Sequence, residues 1–135
     1  RFRSRDHVVV NMTENPTGRT GPRIRCIGRT DDMLIVRGVN FFPTALRSVL
    51  QKHEQAVSGM FQVQPSAKGV SQPSPLPISI ELGKGVDLPP AGLGDSIKRE
   101  IRERLLVTSD ITLVNYGSMP RETYKSKLVD YSNAI

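Results

Sequence analysis

The chain is short of the groups that cross-link or metallate small proteins. Cys26 is its single cysteine among 135 residues, so no intrachain disulfide can form. One thiol is compatible with a reducing compartment. No base stands beside it in the sequence, so Cys26 reads as a buried or idle group. Histidine is as scarce: His7 and His53 lie far apart, and with Cys26 they give no metal-ligand spacing. There is no Trp, and aromatics make up 5% of the chain, which bounds the core to a modest one. No apolar run approaches the roughly 18 residues of a membrane span, so no membrane partner is expected. A signal-peptide pattern is also missing, and the first residue is Arg1 rather than Met. These absences lead us to expect a cytoplasmic chain that is a fragment, or a processed product, of something longer.

Charge is present in abundance but unevenly. Nineteen Lys and Arg face thirteen Asp and Glu, for a net charge of +6. Such a balance suits nucleic acid. Its distribution does not: Arg1, Arg3, Arg5, Arg19, Arg23, Arg25 and Arg29 crowd one end, and aromatic residues do not alternate with them as single-strand binding requires.

The length fits one compact domain. Val8-Val9-Val10 and the segment around Ile24, Cys26 and Ile27 read as short strands, separated by turn chemistry at Asn15-Pro16-Thr17-Gly18. Met33 to Val36 is an apolar run with at least one buried face. Gly38 follows, where the missing side chain frees the backbone and leaves room for a ligand. Pro43 then opens a helix whose apolar face is Leu46, Val49 and Leu50. The helix should end near His53, favourably placed at the negative end of its dipole. Val57 to Gln64 and Leu76 to Leu82 read as two antiparallel strands joined by a long loop. In the second, Ile78, Ile80 and Leu82 alternate with Ser79 and Glu81, which the pattern places on the opposite side. Gly83-Lys84-Gly85 lacks the length and the closing Lys-Ser/Thr of a phosphate loop and reads as a turn. Asp95 or Ser96 can cap a second helix carrying Ile97, Ile101 and Leu105, and Ile111 and Leu113 begin a last strand. The order after Arg29 is β-α-β-β-α-β: an α+β fold with a small mixed or antiparallel sheet and two main helices on one face.

Two stretches carry more than local structure. Gly28-Arg29-Thr30-Asp31-Asp32-Met33-Leu34-Ile35-Val36-Arg37-Gly38-Val39-Asn40-Phe41-Phe42-Pro43 closely resembles the hinge region of phenylacetate–coenzyme A ligases, members of the adenylate-forming superfamily of acyl-CoA synthetases. Gly117-Ser118-Met119-Pro120-Arg121-Glu122-Thr123-Tyr124-Lys125-Ser126-Lys127-Leu128-Val129 resembles the closing motif of that family, Gly-Ser-Ile-Pro-Arg-Ser-Glu-Gly-Lys-Ala-Lys-Arg-Val. Phe2-Arg3-Ser4-Arg5-Asp6 resembles a third family segment, Tyr-Arg-Thr-Arg-Asp.

The resemblance implies a C-terminal lid domain at residues 30–135, preceded at 1–29 by the end of the large N-terminal domain. It implies Lys125 as the catalytic lysine, Asp31 as the hinge, Asp6 as a ligand of the nucleotide ribose and Gly38 as the coenzyme A-facing position. Arg29 would assist in placing the nucleotide or close the hinge. It further implies ATP, with Mg held mainly by the large domain, coenzyme A as co-substrate, and an aryl or arylacetic acid as the activated carboxylate. The expected partners are the N-terminal adenylation domain and that small-molecule acid. Without the large domain's phosphate loop and acyl pocket, the 135 residues alone should be inactive, with 1–29 loosely held or re-paired.

Two departures stand out. Tyr124 replaces a Gly of the family pattern and Leu128 replaces an Arg, which leaves open a weakened or altered activity. They also support an alternative, a non-catalytic α+β interaction module derived from such a lid. A further alternative, a small RNA-binding domain, shares the strand and helix order. It needs exposed aromatics on the central strands, and Phe61 is the lone aromatic in the three strands after the hinge.

Overall fold

The computed structural model describes residues 3–13, 16–29, 32–121 and 128–135. Within these, the order is β1 (Asp6–Asn11), β2 (Arg23–Arg29), β3 (Leu34–Val36), β4 (Val39–Phe41), α1 (Leu46–Leu50), β5 (Val57–Val63), β6 (Ser71–Gln72), β7 (Leu76–Leu82), α2 (Leu93–Leu105) and β8 (Ser109–Val114). Single 3₁₀ turns, Pro43–Ala45 and Gln51–His53, extend α1 at both ends. The α+β class and the two main helices are as the sequence implies. The strands, however, form three small sheets rather than one: β1-β2, β4-β3-β6 and β5-β7-β8.

Strand β7 is the centre. It pairs antiparallel with β5 and parallel with β8. A parallel pair needs a long crossover, and here α2 supplies it. Ile97 and Ile101 of α2 are fully buried with Ile78, Ile80, Leu46, Val49 and Leu50, which makes one core from both helices and this sheet. Asp95 lies in the first turn of α2, with Arg102 and Arg104 in its last, each favourable to the helix dipole. The helix starts earlier than its side-chain caps suggested: Gly92, at φ 77°, occupies the N-cap, and Asp95 is already inside.

The sequence assigned Ser79 and Glu81 to the side opposite the core residues, and the alternation holds. Yet both are buried, Glu81 completely. The reason lies in what covers that face. Met119 and Arg121 bond to Glu81, and Gln64 accepts a hydrogen bond from Ser79 Oγ at 3.2 Å. Helices cover one face of β7, and side chains and backbone from the C-terminal segment cover the other.

The hinge-like stretch also holds a finer structure than a strand and a turn. Strands β3 and β4 form a hairpin closed by Arg37 (φ 50°) and Gly38 (φ 83°). Two positive φ values at a two-residue tip match the twist of the flanking strands. The loop between β5 and β7 likewise contains β6, which pairs parallel with β3.

Strands β1 and β2 pair antiparallel as a hairpin, with most of their side chains exposed. Val8 lies opposite Cys26 and Val10 opposite Ile24, so these four side chains share a face; Val9 and Arg25 lie on the other. A lone two-stranded ribbon is marginal in water. This one is fastened at its end to the lid, as described next.

Candidate functional site

The candidate site is built from the end of the hairpin, the β3–β4 tip and the segment that follows β8. Asp6 and Arg29, both expected to contact nucleotide, are cross-strand partners on the last rung of the β1–β2 ladder. Opposite charges at such a position favour the register. One rung away, His7 pairs with Gly28. The Phe42 ring lies on both: its centroid is 5.1 Å from that of His7, and a Cβ added at Gly28 would come within 2.7 Å of Phe42 Cδ1. Thr44 Oγ1 donates to the Ile27 carbonyl at 2.8 Å. Phe42 and Thr44 follow position 31 and lead into α1, whereas Ile27, Gly28 and His7 belong to the hairpin. Together these contacts are worth about 1–3 kcal/mol. That is enough to bias an orientation and small enough to release it.

Asp31, the expected hinge, lies between these two groups but outside the described residues. Its neighbour Asp32 sits near the chain's other end. Tyr131 has its hydroxyl pKa pushed above the ordinary range by burial and then by the negative charge of Asp32. Gly38 is exposed at the β3–β4 tip, where an added Cβ would meet nothing within 4 Å. The positive φ, rather than crowding within the chain, explains a glycine there. The space beyond it is open, as an approaching ligand needs.

Lys125 and Tyr124 also lie outside the described residues, but both flanks of their segment are anchored. On the near side, Arg121 Nη2 donates to Glu81 Oε1 at 2.7 Å, and the Met119 amide donates to Glu81 Oε2 at 3.2 Å. The Arg121 guanidinium also stacks over Tyr116, 4.5 Å from the ring centroid. On the far side, the Val63 amide donates to the Leu128 carbonyl at 2.8 Å, and the Asp130 amide to the Val63 carbonyl at 2.8 Å. Val129 is buried and Leu128 packs against the core. Leu128 therefore has a packing role at the position where the family pattern prefers Arg. In the sequence Lys125 stands four residues beyond Arg121 and three before Leu128.

Two further expectations meet the structure directly. Cys26 is exposed, not buried, because among the described residues nothing covers the hairpin face that carries it; its Sγ lies 3.6 Å from the Gly28 carbonyl. His53 does end the first helix, and Nε2 lies 3.2 Å from Glu100 on α2. Lys52 joins the same carboxylate at 2.7 Å, so these two residues tie the end of the first helix to α2, while Arg104 meets it at 3.2 Å from one turn along α2 itself. Glu81 is an anchoring residue that the sequence pattern did not single out; an acid alternating with Ile and Leu in β7 was the available signal.

The geometry has its counterparts in known proteins. The family model for the AMP-binding enzyme C-terminal domain matches residues 38–131. The phenylacetate-coenzyme A ligase of Escherichia coli (strain K12) is 30% identical over 141 aligned positions, covering 100% of this chain and 31% of that protein. The chain thus spans about a third of that relative's length. Among solved structures, 2-hydroxyisobutyryl-CoA ligase in the postadenylation state, in complex with R3-HIB-AMP, superposes with a TM-score of 0.81 at 25% identity, covering 95% of this chain and 28% of that one. The same ligase in the thioesterification state, with 2-HIB-AMP and CoA, gives a TM-score of 0.61 at 25% identity, covering 95% and 27%. With the family model spanning most of its length, the chain belongs to the AMP-binding enzyme C-terminal domain family.

Proposed function

We propose that this chain is the C-terminal part of an ATP-dependent acyl-CoA ligase of the phenylacetate type, acting in the cytoplasm. Residues 30–135 are its mobile lid, and 1–29 are the end of its large domain. The observation that carries this reading is the fit of hairpin and lid together, over 95% of the chain, to a ligase holding an acyl-adenylate.

In the first half-reaction a carboxylate oxygen of the acid attacks the α-phosphorus of ATP, and pyrophosphate leaves. The Lys125 ammonium binds between the two anions and offsets the charge that gathers there. Asp6 accepts from the ribose hydroxyls, with Arg29 beside it on the same rung. In the second half-reaction the coenzyme A thiol attacks the acyl carbonyl and AMP leaves. Torsions at Asp31 turn the lid between the two steps, and the bare tip at Gly38 then faces the pantetheine chain. Mg neutralises the ATP phosphates when bound, and the large domain supplies most of its ligands. An aryl or arylacetic acid is the proposed substrate, because the relative covering the whole chain is a phenylacetate-coenzyme A ligase.

Single-turnover assays of the full-length ligase test this. Lys125→Ala should slow adenylation by about 10²-fold or more, as expected for loss of one preorganised transition-state donor. Thioester formation from supplied acyl-adenylate should be nearly unchanged, and Lys127→Ala should leave both steps intact. Normal adenylation by the Lys125 variant with loss in the Lys127 variant would move the role to Lys127. Normal adenylation by both would favour the non-catalytic module, for which Tyr124 in place of Gly is the remaining support.

A further inference from the structure

We infer that Phe42 and Thr44 are positioning residues for the first half-reaction. They latch the lid onto the last rungs of the β1–β2 hairpin and must let go before the second. The inference rests on the reading just proposed and adds to it the parts that hold one orientation.

The first observation is local. Every contact between these parts crosses positions 30–31, where the hinge is proposed. The Phe42 ring covers the His7–Gly28 rung, and Thr44 Oγ1 reaches the Ile27 carbonyl at 2.8 Å. Gly28 is buried beneath Phe42, and only a residue without a Cβ fits there: an added one would lie 2.7 Å from Cδ1 and 3.2 Å from Thr44 Oγ1. The next rung is Asp6–Arg29. A latch here therefore fixes the lid relative to the residues proposed to hold the nucleotide.

The second observation is global and independent of the first. One ligase, in two states, resembles this chain unequally, with TM-scores of 0.81 and 0.61 at the same 95% coverage of the chain. The difference of 0.20 is a fifth of the full scale, and residues 1–29 are about a fifth of the 135. A lower score at the same coverage fits a different placement of the segment before the hinge relative to the rest. The arrangement with the latch made is thus the postadenylation one. Phe42 and Thr44 are only half-buried. Water can replace what they lose, so release exposes little.

The test uses the full-length ligase with Thr44→Val, which keeps the branched shape but deletes the donor, and with Gly28→Ala, which pushes Phe42 off the rung. Single-turnover adenylation should fall about 3- to 10-fold for the first, the loss of one hydrogen bond, and about 10-fold for the second. Thioester formation from supplied acyl-adenylate should be unchanged or faster. Spin labels at Asn11 and Ser48 should show the short-distance population shrinking in both variants. Equal loss in both half-reactions, or label distances that match the parent, would overturn the latch. If the parent enzyme adenylates no carboxylic acid, the proposed function fails instead, and the label distances still decide whether these contacts hold the two parts together.

Discussion

Removing Arg121 should harm the fold more than removing Glu81, although the two form one ion pair. Glu81 is fully buried on β7, and among the described residues each of its oxygens has one donor: Arg121 Nη2 at 2.7 Å and the Met119 amide at 3.2 Å. Arg121→Ala leaves a carboxylate inside the protein with a single neutral donor. Stranded buried charges of this kind cost about 3–5 kcal/mol. The Arg121 side chain is 48% exposed, so water can enter where it stood, and the lower figure of about 3 kcal/mol applies. Glu81→Leu strands no charge. Arg121 turns out to solvent, the Met119 amide loses its partner, and the new apolar group offsets part of that loss, for a net cost of about 1 kcal/mol. The double variant should then resemble Glu81→Leu alone, because Arg121 has nothing left to neutralise. Urea unfolding followed by far-UV circular dichroism gives the full double-mutant cycle, the chain having no Trp to report by fluorescence. Arg121→Ala should also melt roughly 10 °C lower. An Arg121→Ala cost no larger than that of Glu81→Leu, or additive costs in the double variant, would refute the reasoning.

Two other outcomes follow from the same structure. Lys52, then His53 and Arg104, hold the Glu100 carboxyl pKa below its ordinary value against the opposing effect of burial. The stabilisation is complete above the ordinary glutamate pKa of about 4.3 and disappears as pH falls through the lowered folded value. Glu100→Ala should accordingly cost about 1 kcal/mol at neutral pH and almost nothing below both values, as a paired pH series of urea melts would show; equal costs at both ends would remove the network from the account. Asp31→Pro in the full-length ligase should slow thioester formation far more than adenylation, because a fixed φ resists the turn between steps. Equal slowing in single-turnover assays of the two steps would make Asp31 a structural residue only.

How much of this was legible in the sequence depended on whether a signal is local. The alternation of Ile78, Ile80 and Leu82 and the four-residue recurrence of Ile97, Ile101 and Leu105 identify β7 and α2, because each period is set by the backbone of its own element. The β3–β4 hairpin was also readable in principle: Arg37-Gly38 separates two short apolar segments, as a two-residue tip requires. Three-residue strands are simply too short to show a period. Other features are not local at all. The Asp6–Arg29 rung depends on register across the eleven-residue connection between β1 and β2, and the cover over Glu81 comes from residues about forty positions later. The N-cap of α2 misled for a different reason. Side-chain caps are visible as residue types, whereas Gly92 caps by its φ of 77°, which residue type alone leaves open.

The same distinction explains the two departures from the family pattern. Read along the sequence, Leu128 and Tyr124 look alike: each replaces a residue of one motif by a bulkier or more apolar one. In space they are bound by different constraints. Leu128 stands where the segment re-enters the lid, its carbonyl bonded to Val63 and its side chain on the core, next to buried Val129. An apolar residue there strengthens the far anchor without touching the chemistry proposed for Lys125. Tyr124 directly precedes Lys125, inside the span between the two anchors. Glu81 fixes one end of that span from its buried place on β7, and Val63 fixes the other. Of the two substitutions, then, Tyr124 is the one through which activity would be tuned, and Leu128 belongs to the fold.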